Sequence, residues 1–300
     1  MSIRKKISTL VIAGLCAGFL IISAGQAWAA DSPDLKQELK IPPEDRTQIL
    51  TLKDGSTLIG RISAVGASEI SFQTKLGELK IPVESIRKIR EVPASTIRNG
   101  QYWFPNPNAT RLYFGPTARL LKRGEGYFAD YELFFPALTV GVTDRVTLGG
   151  GMSIFPGAGL DRQLFYLTPK VGIKSYGNLH WAAGTLVLKI PDVSQVVGVL
   201  YSLGTFGTPD GSISAGLGYG FVGRHLADKP MIMIGGEKRL TRRLAFVTEN
   251  WVVPGGEAPV VSYGIRLMGE DLSVDLAFFN ILDEDAVFPG IPYIDLVFKF

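Results

Sequence analysis

The sequence predicts an all-β chain, an antiparallel transmembrane β-barrel of about 12 strands preceded by a small five-stranded barrel. Three observations carry this. From Thr110 to Phe300 the chain falls into strand-length segments separated by turn residues. Several of these segments alternate cleanly, and the polar face is mostly Gly, Ser and Thr rather than charge. The connections alternate between tight and long. A soluble sandwich buries its apolar face and shows charge outside, whereas a barrel in lipid reverses the two.

Residues 1–30 read as a secretory signal peptide. Arg4, Lys5 and Lys6 precede the apolar run Ile7–Ala24, and Ala27-Trp28-Ala29 is a small-x-small cleavage site. An uncleaved anchor is the alternative. The sole cysteine, Cys16, falls inside this segment. The leader holds three of the 31 basic residues and none of the 28 acidic ones, so cleavage leaves 28 of each sign. The basic balance then belongs to the leader and implies no affinity for nucleic acid.

Residues 31–45 are polar and proline-bearing, a linker. Residues 46–95 carry short alternating strands with a Lys53-Asp54-Gly55 turn and a Leu76-Gly77 turn. The expected core is Leu50, Leu52, Leu58, Ile62, Ile70, Phe72, Leu79, Ile81, Ile86 and Ile89. The stretch LKDGSTLIGRI, a second hairpin and IPVESIRKI resemble bacterial SH3-like or Sm-like small barrels. The Sm-type RNA-binding positions read Lys75-Leu76-Gly77 and Glu84-Ser85-Ile86-Arg87, so RNA binding does not carry over. Lys80, Arg87, Lys88 and Arg90 read as a solvated face.

Residues 96–109 read as a second linker, and 110–300 as the large barrel. Its expected strands are 110–121, 126–142, 145–155, 163–175, 178–190, 194–206, 211–223, 230–238, 242–253, 259–268, 271–280 and 291–300. In 211–223, Ile213, Ala215, Leu217, Tyr219 and Phe221 take the lipid face, and Ser212, Ser214, Gly216, Gly218 and Gly220 the lumen. An even strand count returns both ends to one side, which for this topology is the periplasm.

Ile294, Leu296, Phe298 and Phe300 alternate with Asp295, Val297 and Lys299, and the final residue is Phe. That pattern resembles the terminal strand of bacterial outer-membrane β-barrel proteins. The resemblance implies that these four residues form the signal read by the barrel-assembly machinery. It also implies an outer-membrane location, contact with its lipid bilayer, and a periplasmic small domain whose partner is unknown.

Arg111, Arg119, Asp130, Glu132, Lys170, Lys174 and Arg266 are the expected lumen charges, a salt-bridged interior. His180 and His225 lack a serine at catalytic spacing, so no catalytic residue is assigned. Gly149-Gly150-Gly151 precedes no helix and makes no phosphate loop. Asp283-Glu284-Asp285 reads as a solvated run, and no metal or cofactor is expected. The leading reading is a non-enzymatic pore, scaffold or envelope-interaction module. A membrane-embedded lipid or lipopolysaccharide hydrolase and a secreted soluble β-sheet binding protein are the alternatives.

Overall fold

A computed structural model describes residues 39–256, 258–282 and 287–300, so the expected leader and Asp283-Glu284-Asp285 lie outside the described residues. The chain divides into two compact units, one ending at Phe104 and the other running from Pro105 to Phe300.

In the first unit, β1 (Arg46–Leu52), β2 (Thr57–Val65), β3 (Glu69–Thr74) and β4 (Gly77–Pro82) form a meander. A 3-10 turn at Val83–Ser85 leads into β5 (Ile86–Pro93), which returns to the free side of β1. The sheet order is β4-β3-β2-β1-β5. No pairing joins β4 to β5 among the described residues, so by its hydrogen bonds the sheet is open rather than a closed barrel. Leu50, Ile62, Ile70, Phe72, Ile81, Ile86 and Ile89 are buried together, while Leu79 is exposed. Gln48 is buried too, and both polar atoms of its amide have a partner. Its Oε1 accepts from the Ile62 N–H and its Nε2 donates to the Lys40 carbonyl. Part of the expected second linker is ordered as a short hairpin, β6 (Ile97–Arg98) and β7 (Gln101–Tyr102).

The second unit holds β8 (Gly126–Tyr131), β9 (Phe135–Thr143), β10 (Val146–Met152), β11 (Phe165–Tyr176), β12 (Leu179–Lys189), β13 (Val197–Thr208) and β14 (Gly211–Val222). It continues with the two-residue β15 (His225–Leu226), β16 (Met231–Thr241), β17 (Leu244–Val252), β18 (Val260–Met268), β19 (Leu272–Ile281) and β20 (Ile291–Lys299). All pairings are antiparallel between sequence neighbours, with β14 meeting β16 directly and β15 only extending β14. β20 pairs with β8, from Asp295 opposite Tyr131 to Lys299 opposite Tyr127. That seam closes a ring of 12 strands among the described residues.

The expected number is right for a reason the sequence concealed. Segment 126–142 is a hairpin, β8 and β9, turning at Glu132 and Leu133 with φ of 53° and 63°. Segment 110–121 is not a strand of the wall. It makes one isolated bridge, Arg111 to Pro116, around a tight turn closed by the Leu112 N–H on the Gly115 carbonyl. Pro105, Pro107 and Pro116 have no N–H to donate to a ladder, which disfavours a central strand here.

Side chains separate by parity. Thr205, Ser212, Ser214, Ser262, Asp275 and Asp295 are buried on the inner face. Leu138, Leu167, Leu200, Leu217, Ile234 and Phe298 are exposed on the outer one. The interior is therefore more polar than the surface. In water such a ring would expose a broad apolar belt, and a closed barrel is the one sheet that satisfies its backbone inside lipid. The unit is built to span a membrane.

Candidate functional site: the lumen and its plug

Segment 105–121 lies inside the ring, and wall side chains hold it by its backbone. Arg266, fully buried on β18, uses all five of its N–H donors. Nε and Nη2 meet the two oxygens of Asp275, at 2.7 and 2.8 Å. Nη1 donates to the Asn108 carbonyl at 2.7 Å and to Glu237 Oε2 at 3.1 Å. Nη2 also donates to the Leu112 carbonyl at 2.7 Å.

On β17, Glu249 performs the converse task. Its Oε2 accepts the consecutive N–H groups of Tyr113, Phe114 and Gly115 at 2.9, 3.1 and 2.8 Å. Its Oε1 accepts from Trp251 Nε1 at 2.8 Å. The tight turn of the plug offers three N–H groups that the turn itself cannot pair, and one carboxylate takes them all. Gly115 sits where a Cβ would come 3.1 Å from that carboxylate, so a residue without a side chain suits the contact.

Lys170 on β11 completes the grip, donating from Nζ to the carbonyls of Thr110, Thr117 and Arg119 at 3.0, 2.9 and 2.7 Å. Further down, Thr205 Oγ1 accepts from the Ala118 N–H and Thr147 Oγ1 from the Leu121 N–H. Arg111, carried by the plug, pairs with Asp295 of β20 and lies 4.4 Å from the centroid of the Tyr131 ring. Asp295 thus pairs with Arg111, and Glu237 and Asp275 pair with Arg266, while Glu249 is held by N–H groups and Lys170 and Arg119 by carbonyls. Paired or hydrogen-bonded in this way, charges are tolerated in a buried interior.

The expected lumen charges divide. Arg111, Lys170 and Arg266 lie in the network, and Arg119 donates to the Gly207 carbonyl from the plug. Asp130 falls on the opposite parity from the inward Tyr127 and Ala129, in register with Leu296, so it is not a lumen charge. Glu132 belongs to the β8–β9 turn. Lys174 is exposed beyond a bulge in β11, with its ammonium 4.5 Å from the Tyr176 ring centroid. Glu237, Glu249, Asp275 and Asp295 were absent from the expected set. Their signal was parity, because each is a carboxylate at an inward register position.

Among the histidines, His180 Nδ1 lies 3.0 Å from Ser175 Oγ, directly across β11 and β12. Sequence spacing hid this pair. It is exposed, and no hydrogen bond joins His180 to a carboxylate among the described residues, so the third member of a triad is missing. His225 is exposed on β15. No group of three or more His, Cys, Asp or Glu residues able to hold a metal occurs among the described residues.

Against the plug the lumen keeps a cavity of about 200 Å³ that reaches toward the longer loops along β12–β17. The plug lines it with Thr110, Arg111, Phe114 and Pro116, and the barrel side is mainly apolar and aromatic, with Thr139, Thr147, Thr168 and Lys170 among its residues.

No family model matches the chain, and no curated protein does. Among solved structures, the NanC porin aligns at 8% identity over 58% of this chain and 97% of its own, with a TM-score of 0.39. Omp33 of Acinetobacter baumannii aligns at 10% identity over 59% and 95%, with a TM-score of 0.34. The outer-membrane protein OmpT of Vibrio cholerae aligns at 13% identity over 87% and 100%, with a TM-score of 0.30. Scores this low do not establish a shared fold. The assignment of a closed, membrane-spanning β-barrel rests on the strand register and on the inverted polarity of its two faces.

Proposed function

We propose that the protein is an outer-membrane barrel closed at rest by its own segment 105–121, a plugged pore rather than an enzyme. The observation that carries this reading is the backbone grip of Arg266, Glu249 and Lys170 on that segment inside the ring. A general porin needs a water-filled lumen, and here the plug occupies it. Short turns at residues 144–145, 177–178, 209–210, 242–243 and 269–271 share one rim with both ends of the barrel. That arrangement supports a periplasmic placement of this rim and of the first unit.

The first unit, residues 46–95 with flanking linkers, is assigned here to an SH3-like or Sm-like small barrel that engages a periplasmic partner. The meander and the return of β5 beside β1 after a 3-10 turn support it. Ile294, Leu296, Phe298 and Phe300 serve in this reading as the assembly signal, with the lipid bilayer and the barrel-assembly machinery as partners. Envelope fractionation combined with heat-modifiability on a gel tests the location. Recovery in the outer-membrane fraction as a heat-modifiable species is the expected result, and extraction without detergent would contradict it.

A further inference from the structure

The cavity against the plug has a chemistry of its own. On β14 the inward positions Gly216 and Gly218 carry no side chain, and neighbouring strands lean over them. A Cβ at Gly218 would lie 2.8 Å from Val199 Cγ1 and 3.3 Å from Met231 Cγ, and one at Gly216 would lie 2.7 Å from Leu203 Cβ. The result is an apolar wall with empty space before it. Trp251 stands on the same wall, oriented by its hydrogen bond to Glu249.

The two cations that line the cavity already have protein partners. Arg111 is paired with Asp295 and also donates to the Tyr113 carbonyl, and the Lys170 ammonium is spent on three carbonyls. Arg111 Nε has no partner among the described residues but is buried, so neither side chain presents an accessible free contact to an anion. By contrast, the Tyr131 and Tyr201 side chains line the cavity, and neither hydroxyl is hydrogen-bonded among the described residues. A dry apolar cavity of about 150 Å³ admits a benzene-sized molecule, so this one accommodates a single ring with a small substituent.

Resting on the plugged-barrel reading, we infer that this cavity is a binding site for a small uncharged molecule, one apolar ring or short alkyl chain bearing one hydroxyl or carbonyl. The apolar body packs on Val199, Leu203 and Met231, and the polar group bonds to Tyr131 or Tyr201. An ionised analogue is rejected, because its charge would be buried without a partner.

The test uses the full chain in lipid nanodiscs, with Trp28, Trp103 and Trp181 replaced by Phe so that Trp251 alone reports. The probes are 4-bromophenol, neutral at pH 7, and 4-bromobenzoate, ionised there, whose bromine quenches indole fluorescence on contact. Saturable quenching by 4-bromophenol is expected, with about tenfold weaker binding of 4-bromobenzoate. Gly218→Leu fills the cavity and should abolish saturation. Val199→Phe narrows the same space from the neighbouring strand and should do the same, so the test stands if either variant folds by heat-modifiability. Linear quenching, equal for both probes or unchanged in a folded variant, would overturn the inference. Outer-membrane fractionation and a silent wild-type lumen would in that case still stand, so failure here is distinguishable from failure of the plugged-barrel reading.

Discussion

Arg266 on β18 and Asp275 on β19 are direct cross-strand partners, and their side chains meet through two parallel contacts of 2.7 and 2.8 Å. The fork fixes the guanidinium plane, and its remaining donors are thereby aimed at the plug carbonyls of Asn108 and Leu112 and at Glu237. One wall residue therefore joins the ring to its contents.

Replacing Arg266 by alanine strands Asp275 and Glu237 as buried charges, and loss of about 3–5 kcal/mol is expected. Arg266→Lys should recover little of it, since an ammonium has three donors and no planar fork. Thermal unfolding followed by the heat-modifiable gel shift reads both variants. Equal stability of Arg266→Ala and the wild type would show that the network does not hold the plug.

Glu249→Gln keeps the shape and one acceptor oxygen but removes the charge that takes three N–H groups. A loss of roughly 1–3 kcal/mol is expected, concentrated in the plug. Hydrogen exchange is the measurement, with Tyr113, Phe114 and Gly115 deprotected while the wall strands stay protected. Uniform deprotection of plug and wall together would contradict it.

Phe300 exchanges two backbone hydrogen bonds with Gly126 across the closing seam, and its ring lies where a Gly126 Cβ would stand. Deleting Phe300 should lower the amount of barrel reaching the membrane. Val297→Ala, in the buried cluster with Leu121, Tyr127 and Ala129, removes about 1.5 kcal/mol of burial at roughly 0.8 per methylene and should affect stability alone. Equal insertion of the two variants would refute the assembly role of the last strand.

At the outer end of that seam, burial raises the Glu132 carboxyl to about 7, against the lowering effect of its backbone contact with Ile294 and with the Asp295 charge adding to the rise. An unfolded glutamate titrates near about 4.3, so the folded state holds the proton more tightly. Its contribution is fully present below that value and is lost as pH rises through about 7. Exchange at the Glu132 N–H, which donates to the Ile294 carbonyl, should therefore exceed the intrinsic rate change between about pH 5 and about pH 8. Glu132→Gln should abolish the excess, and persistence of the excess in that variant would assign it elsewhere.

Much of the barrel was legible because lipid inverts a strand's polarity at a period of two. In β14, Ile213 and Leu217 are exposed while Ser212 and Ser214 are buried, as the alternation indicates. Segment 110–121 misled because Leu112, Phe114, Ala118 and Leu120 also alternate. Periodicity does not separate a strand from an irregular segment whose backbone bonds go to wall side chains. In the plug, Leu112 and Tyr113 are adjacent and both fully buried, which no strand facing lipid permits. The β8–β9 turn was hidden by Glu132 and Leu133, which adopt a left-handed backbone without the Gly or Asn that usually announces it. The carboxylates of the network were missed because their plug partners lie in segments read as linker, for Asn106 and Asn108, or as wall, for Arg111 and residues 113–115. Asp275 has a visible reason to be inside a membrane barrel only once Asn108 and Arg266 are placed beside it.

The central claim is that residues 105–121 close the lumen, and single-channel conductance in a planar bilayer tests it most directly. The wild type should be silent, and replacement of 105–119 by a flexible Gly/Ser stretch of the same length should open steady conductance, with Arg266→Ala giving intermittent openings. Wild-type conductance equal to that of the replaced chain would contradict the account.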